Sequence, residues 1–86
     1  MKTLADFKRA LTIGSQWKFE NWLYGTYGIR TITKVLSKGF WCLREDGIEV
    51  YIDFPRACNC CIVNSKVRIY TEHEEESKVM FVFERV

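Results

Sequence analysis

With 86 residues, 48% of them hydrophobic, 15% aromatic and only one proline, the chain is too rich in large side chains for disorder and too interrupted by charge for a membrane span. A chain of this length buries roughly 60–65% of its unfolded surface, so residues 1–86 read as a single domain whose apolar side chains are nearly all needed for one core. Net charge is +2, but residues 1–44 carry 8 Lys/Arg against 2 Asp/Glu and residues 45–86 carry 5 against 9, an asymmetry that favours an anionic partner only if the fold keeps the two halves on different faces.

The first element is a short helix. Thr3-Leu4-Ala5-Asp6 fits the acidic form of a capping box, and Leu4, Phe7, Ala10 and Leu11 then share one face at helical spacing, with Gly14 marking the end. Asp6, Lys8 and Arg9 interrupt any apolar core of an export signal. The chain is therefore expected in the cytoplasm, where its four cysteines stay reduced.

From residue 16 the hydrophobic period changes from 3.6 to 2. Trp17, Phe19 and Leu23 alternate with Lys18, Glu20 and Trp22, and Tyr24-Gly25-Thr26-Tyr27-Gly28 supplies turn residues. A β-branched run from Ile29 to Leu36 carries Arg30 and Lys34 on its polar face, and Ser37-Lys38-Gly39 marks a second turn. Phe40 to Glu45 forms a strand ahead of Asp46-Gly47, the pattern of a type I′ hairpin. Ile48, Val50, Ile52 and Phe54 give the inward face of the next strand, which Pro55 stops. Cys60 to Val63 is a short strand end, Asn64-Ser65 a turn, and Lys66 to Thr71 a strand with Val67 and Ile69 on one side. After the acidic run Glu72 to Glu76, Val79, Phe81 and Phe83 line a last strand. The expected fold is α+β and mostly β: an N-terminal helix on a strongly bent antiparallel sheet of five or six strands, of the SH3-like or OB-like small-barrel kind.

Cys42, Cys58, Cys60 and Cys61 are the most conspicuous residues for site chemistry. Structural zinc wants two ligand pairs spaced C-x₂₋₄-C, whereas the spacing here is C-x-C-C, and adjacent side chains in extended backbone point to opposite faces. They read as small buried hydrophobes, and no metal or cofactor is expected. His73 within the acidic run is the single imidazole, and no nucleophile elbow or phosphate-binding loop accompanies it, so no catalytic residue is expected. The remaining candidates are aromatic and basic residues that the alternation places outside the core: Trp22, Tyr24, Arg30, Lys34, Trp41 and Tyr51. Aromatic rings interleaved with cations suit a protein interface, and they equally suit single-stranded nucleic acid, where cations follow phosphates and rings stack on bases. The helix or a second copy of the chain covering these rings is the structural alternative.

Leu4-Ala5-Asp6-Phe7-Lys8-Arg9-Ala10-Leu11 with Gly14, Arg30-Thr31-Ile32-Thr33-Lys34-Val35 leading to Phe40, Asp53-Phe54-Pro55-Arg56-Ala57, and Val67-Arg68-Ile69-Tyr70 together resemble short uncharacterised proteins of bacteriophages and mobile elements of Gram-positive bacteria. The likeness is scattered over most of the chain. It departs at the short first loop and at Cys58, Cys60 and Cys61. The resemblance implies a setting and no catalytic residues: accessory proteins that bind, and often block, a host protein, or that bind nucleic acid. The expectation from sequence is a non-enzymatic module binding a host protein, with single-stranded nucleic acid as the alternative partner, no membrane association, and self-association left open.

Overall fold

The computed structural model describes residues 1–71 and 78–86; His73 and the acidic run Glu72 to Glu76 lie outside the described residues. One helix, α1 (Leu4–Ala10), precedes seven strands: β1 (Gln16–Asn21), β2 (Thr26–Val35), β3 (Gly39–Leu43), β4 (Glu49–Asp53), β5 (Cys60–Val63), β6 (Lys66–Tyr70) and β7 (Val79–Arg85), with a single 3₁₀ turn at Ala57–Asn59. All pairings are antiparallel and the order across the sheet is β4-β3-β2-β1-β7-β6-β5. The count is seven because Cys60 to Val63 forms a full ladder with β6. Among the described residues no helix is long and apolar enough to cross a membrane.

The helix begins as its sequence dictates. The Thr3 hydroxyl accepts from the Asp6 N–H at 3.3 Å, and the Asp6 carboxylate accepts from the N–H groups of Thr3 at 3.0 Å and Lys2 at 2.9 Å. These bonds, with the Arg9 guanidinium, hold the Asp6 carboxyl well below the usual carboxylate range. Seven residues are too few for a helix to persist alone, so packing must hold it. It ends at Ala10, earlier than Gly14; that glycine, at φ +88°, instead makes the turn into β1.

Phe7 supplies the packing. Its ring is fully buried and lies 5.6 Å from Trp17, 6.1 Å from Phe40, 6.4 Å from Phe54 and 5.8 Å from Phe83. Leu11 is buried beside it, with Leu4 and Ala10 half-buried. The curl of the sheet follows from the same rings. Strands β3 and β7 stand three positions apart, about 14 Å across a flat sheet, yet Phe40 on β3 and Phe83 on β7 meet at 5.6 Å. The sheet is thus a strongly curled half-barrel with α1 seated in its concave side. It stays open, since β4 and β5 form its two edges and share no ladder.

Several turns differ from their sequence reading. At Arg44–Gly47 the Gly47 N–H donates to the Arg44 carbonyl at 3.0 Å and only Gly47 has positive φ, so Asp46-Gly47 closes a three-residue loop instead of a type I′ turn. The two consecutive positive φ values fall at Asn64 (51°) and Ser65 (64°), between the paired residues Val63 and Lys66. Thr26, Tyr27 and Gly28, expected in a turn, pair with β1, and β1 itself stops at Asn21. Leu23 and Ile48, expected to face inward, are each 52% exposed: Leu23 sits in the turn after β1, and Ile48 stands just ahead of β4, closing the loop opposite Arg44.

The strand order also answers the charge question. The strands of the basic half, β1 to β3, lie contiguous in the middle of the sheet, flanked on both sides by strands of the acidic half. The Lys18 ammonium stands 3.9 Å from the Glu84 carboxylate across the β1–β7 seam. Among the described residues the two halves share one sheet and meet along its seams and do not occupy opposite faces, which partly offsets their opposite charges.

Candidate functional site

The six aromatic and basic candidates do not form one surface. Trp41 and Tyr51 are cross-strand partners with ring centroids 5.4 Å apart, and Lys34 is the partner of Trp41 on the other side, so these three form a ladder on the convex face. Both rings are half-buried. Tyr51 lies over Gly39, where any Cβ would collide with its phenol and with the Ile52 carbonyl. Burial and the adjacent Asp53 carboxylate push the Tyr51 phenol pKa up. The Tyr51 phenol is therefore already seated against the Gly39 backbone.

Arg30 stands apart from Lys34, correcting the expectation that they share a face. The β2–β3 register runs from Ile32↔Cys42 directly to Lys34↔Trp41, so Thr33 is an extra, bulged residue. An even spacing of four would put Arg30 and Lys34 on the same side; the bulge reverses parity between them. Arg30, partner of Trp17, consequently faces the concave side. Its guanidinium carbon lies 4.0 Å from the Phe19 ring centroid, and one N–H contacts the Cys42 sulfur at 3.6 Å.

Trp22 and Tyr24 sit in the tip of the β1–β2 hairpin, and the sequence reading missed two companions there. Trp22, Leu23, Tyr24 and Tyr27 are 57%, 52%, 80% and 85% exposed. The tip has a defined shape: the Asn21 side-chain oxygen accepts from the N–H groups of Leu23 (3.0 Å) and Tyr24 (3.3 Å). The Trp22 N–H bonds the Met80 carbonyl at 2.9 Å, and the Trp22 indole N–H bonds Glu20 at 2.9 Å. Leu23 escapes the period-2 alternation because β1 ends at Asn21, and Tyr27 is exposed because it lies in β2 opposite Glu20, on the side away from the buried Phe19.

Behind the tip, at the end of the concave face that α1 leaves uncovered, lies a groove of about 540 Å³. Phe19, Gly28, Arg30 and Val50 line it, with Tyr24 and Tyr27 from the hairpin on one side and Arg44, Glu45 and Asp46 from the β3–β4 turn on the other. Glu45 Oε1 accepts from the Ile29 N–H, close over Gly28, where a Cβ would stand 3.1 Å from it. Arg44 and Asp46 pair with each other at 2.7 Å. Among the described residues no carboxylate lies within ion-pair distance of Arg30.

The cysteines scatter. Cys42 is buried on β3, Cys60 is half-buried on the concave side opposite Ile69, and Cys58 and Cys61 are exposed. Burial pushes both the Cys42 and Cys60 thiol pKa values up, although the Arg30 contact partly opposes this at Cys42. No three metal-ligating side chains cluster among the described residues. No protein-family model, no curated protein and no solved structure matches this chain.

Proposed function

We propose that the chain is a non-enzymatic binding module that engages a partner protein through the β1–β2 hairpin tip. The observation carrying this reading is the tip itself: four large apolar side chains, 52–85% exposed, three of them (Trp22, Leu23 and Tyr24) in the turn that Asn21 fixes and the fourth, Tyr27, beside it at the start of β2. Trp and Tyr are the residues that most often dominate binding energy, and a pre-shaped loop loses less entropy on association. In the bacteriophage or mobile-element setting that the sequence resemblance implies, the partner is a host protein met in the cytoplasm, and its inhibition is the consequence.

Single-stranded nucleic acid is the second reading, favoured by Arg30 sharing a groove with Tyr24 and Tyr27. The groove's charge argues the other way. Arg44 is paired with Asp46, and Glu45 balances Arg30, so the groove has no net positive charge with which to follow a run of phosphates.

The test compares the wild-type chain with Trp22→Ser/Tyr24→Ser in capture from host lysate, followed by affinity measurement on the protein retained. Both substituted residues are exposed, so the melting temperature is expected to stay put. A partner bound at least about 30-fold more weakly by the variant supports the reading, as two aromatic anchors predict. Equal retention by both chains refutes it. So does tight oligonucleotide binding that falls steeply between low and physiological salt, or a homodimer that the double substitution dissolves.

A further inference from the structure

We propose that the groove behind the hairpin tip is a docking pocket for one carboxylate, a Glu or Asp side chain on an otherwise apolar segment of the partner protein, with the Arg30 guanidinium as its anchor. The inference deepens the protein-binding reading and rests on it.

Arg30 is half-buried and fixed in place. Its planar face lies on Phe19, and one of its five N–H donors is spent on the Cys42 sulfur, a weak acceptor. A guanidinium held this way has lost part of its hydration without gaining an ionic partner among the described residues. Its remaining donors form a rigid fork that matches a carboxylate, and stacking on an aromatic face is the arrangement in which arginine offers that fork at least entropic cost. The accessible apolar part of the lining, the exposed Tyr24 and Tyr27 rings with half-buried Val50, suits aliphatic neighbours of the acid.

Charge decides between the anions available. The lining sets Arg30 and Arg44 against Glu45 and Asp46 and is neutral before docking, so one carboxylate on Arg30, which has no ion-pair partner among the described residues, leaves a single net negative charge. A polyanion would bring further charges against Glu45 and Asp46, and among the described residues the groove has no second unpaired cation to receive them. A single acidic side chain on a peptide fits; a nucleic-acid strand does not.

The experiment titrates the isotope-labelled protein, followed by amide and Arg30 Nε resonances, with two blocked tripeptides, acetyl-Leu-Glu-Leu-amide and acetyl-Leu-Gln-Leu-amide, which differ only in the charge. An eight-residue oligothymidylate is titrated in parallel. The Glu peptide is expected to shift the Ile29 and Glu45 amides and the Arg30 Nε signal, with the Gln peptide weaker by about tenfold or more. Arg30→Gln should erase the difference between the peptides, and Arg30→Lys, which keeps charge without the fork, should restore only part of it. Retained spectra of both variants show that the fold is intact. Equal affinity for the two peptides, no shifts up to about 10 mM peptide, or Arg30-dependent binding of the oligonucleotide in preference to the Glu peptide each overturns the proposal. Because peptides are the probe, this result is independent of partner capture: a partner lost with the tip substitutions but unaffected by Arg30→Gln removes the carboxylate pocket and leaves the protein-binding reading standing.

Discussion

Phe7→Ala tests the structural premise on which the site depends, that α1 closes one end of the concave face and leaves the other open. Phe7 is fully buried and its ring touches those of Trp17, Phe40, Phe54 and Phe83. Burying a Phe side chain removes at least about 150 Å² from water, worth about 4 kcal/mol at 25 cal/mol per Å². Truncations of this kind cost about 3–5 kcal/mol. The upper end applies here, since the four rings come from β1, β3, the segment after β4, and β7, and strands held in one ladder cannot all move in to fill the space. A domain of this length holds only about 4–13 kcal/mol in total. In urea, with a slope of about 1 kcal/mol per M, the midpoint should fall by about 5 M, with the buried Trp17 emission shifting to the red in the same transition. Phe7→Leu, which keeps most of the volume, should cost less than about 1.5 kcal/mol. A loss under about 1 kcal/mol for Phe7→Ala, with Trp17 emission unchanged, would show that the helix is not what organises the concave face.

The remaining predictions concern sites away from the helix core. Gly39→Ala must push Tyr51 and the Ile52 carbonyl aside, which is expected to cost about 1–3 kcal/mol in chemical unfolding despite the addition of a single methyl group; a neutral result would mean that β3 and β4 do not meet as closely as described. Asp6 has its carboxyl pKa lowered in the folded state, so its contribution is complete above the unfolded value of about 4 and is lost as pH falls below it. The melting temperature gap between wild type and Asp6→Ala should therefore hold from about pH 7 to about pH 5 and narrow as pH falls from about 4 towards 2, and a gap that stays constant down to about pH 2 contradicts the capping role. Alkylation followed by mass spectrometry should label exposed Cys58 and Cys61 first, Cys60 more slowly, and buried Cys42 only on unfolding, since burial both shields these last two thiols and raises their pKa values. Early labelling of Cys42 would contradict its burial behind Arg30.

What the sequence determined on its own is local. Thr3 and Asp6 start the helix because capping involves groups three residues apart. Leu4, Phe7 and Leu11 face the core because a helix has a fixed period. Trp17 with Phe19, Val67 with Ile69, and Phe81 with Phe83 lie on the concave side because a strand alternates. Cys60 and Cys61 point to opposite faces by the same rule. Tertiary structure decided what depends on pairing. Whether Arg30 faces the convex or the concave side is set by one bulged residue, Thr33, and the bulge exists only in the register between β2 and β3. The extension of β2 back to Thr26, the open edges at β4 and β5, and the three-residue loop at Gly47 likewise depend on partners distant in sequence. The candidate residues could be named from composition and alternation. Their separation into a convex ladder, an aromatic tip and a groove built around Arg30 could not, because a shift of one residue in a strand carries a side chain to the other face of the sheet.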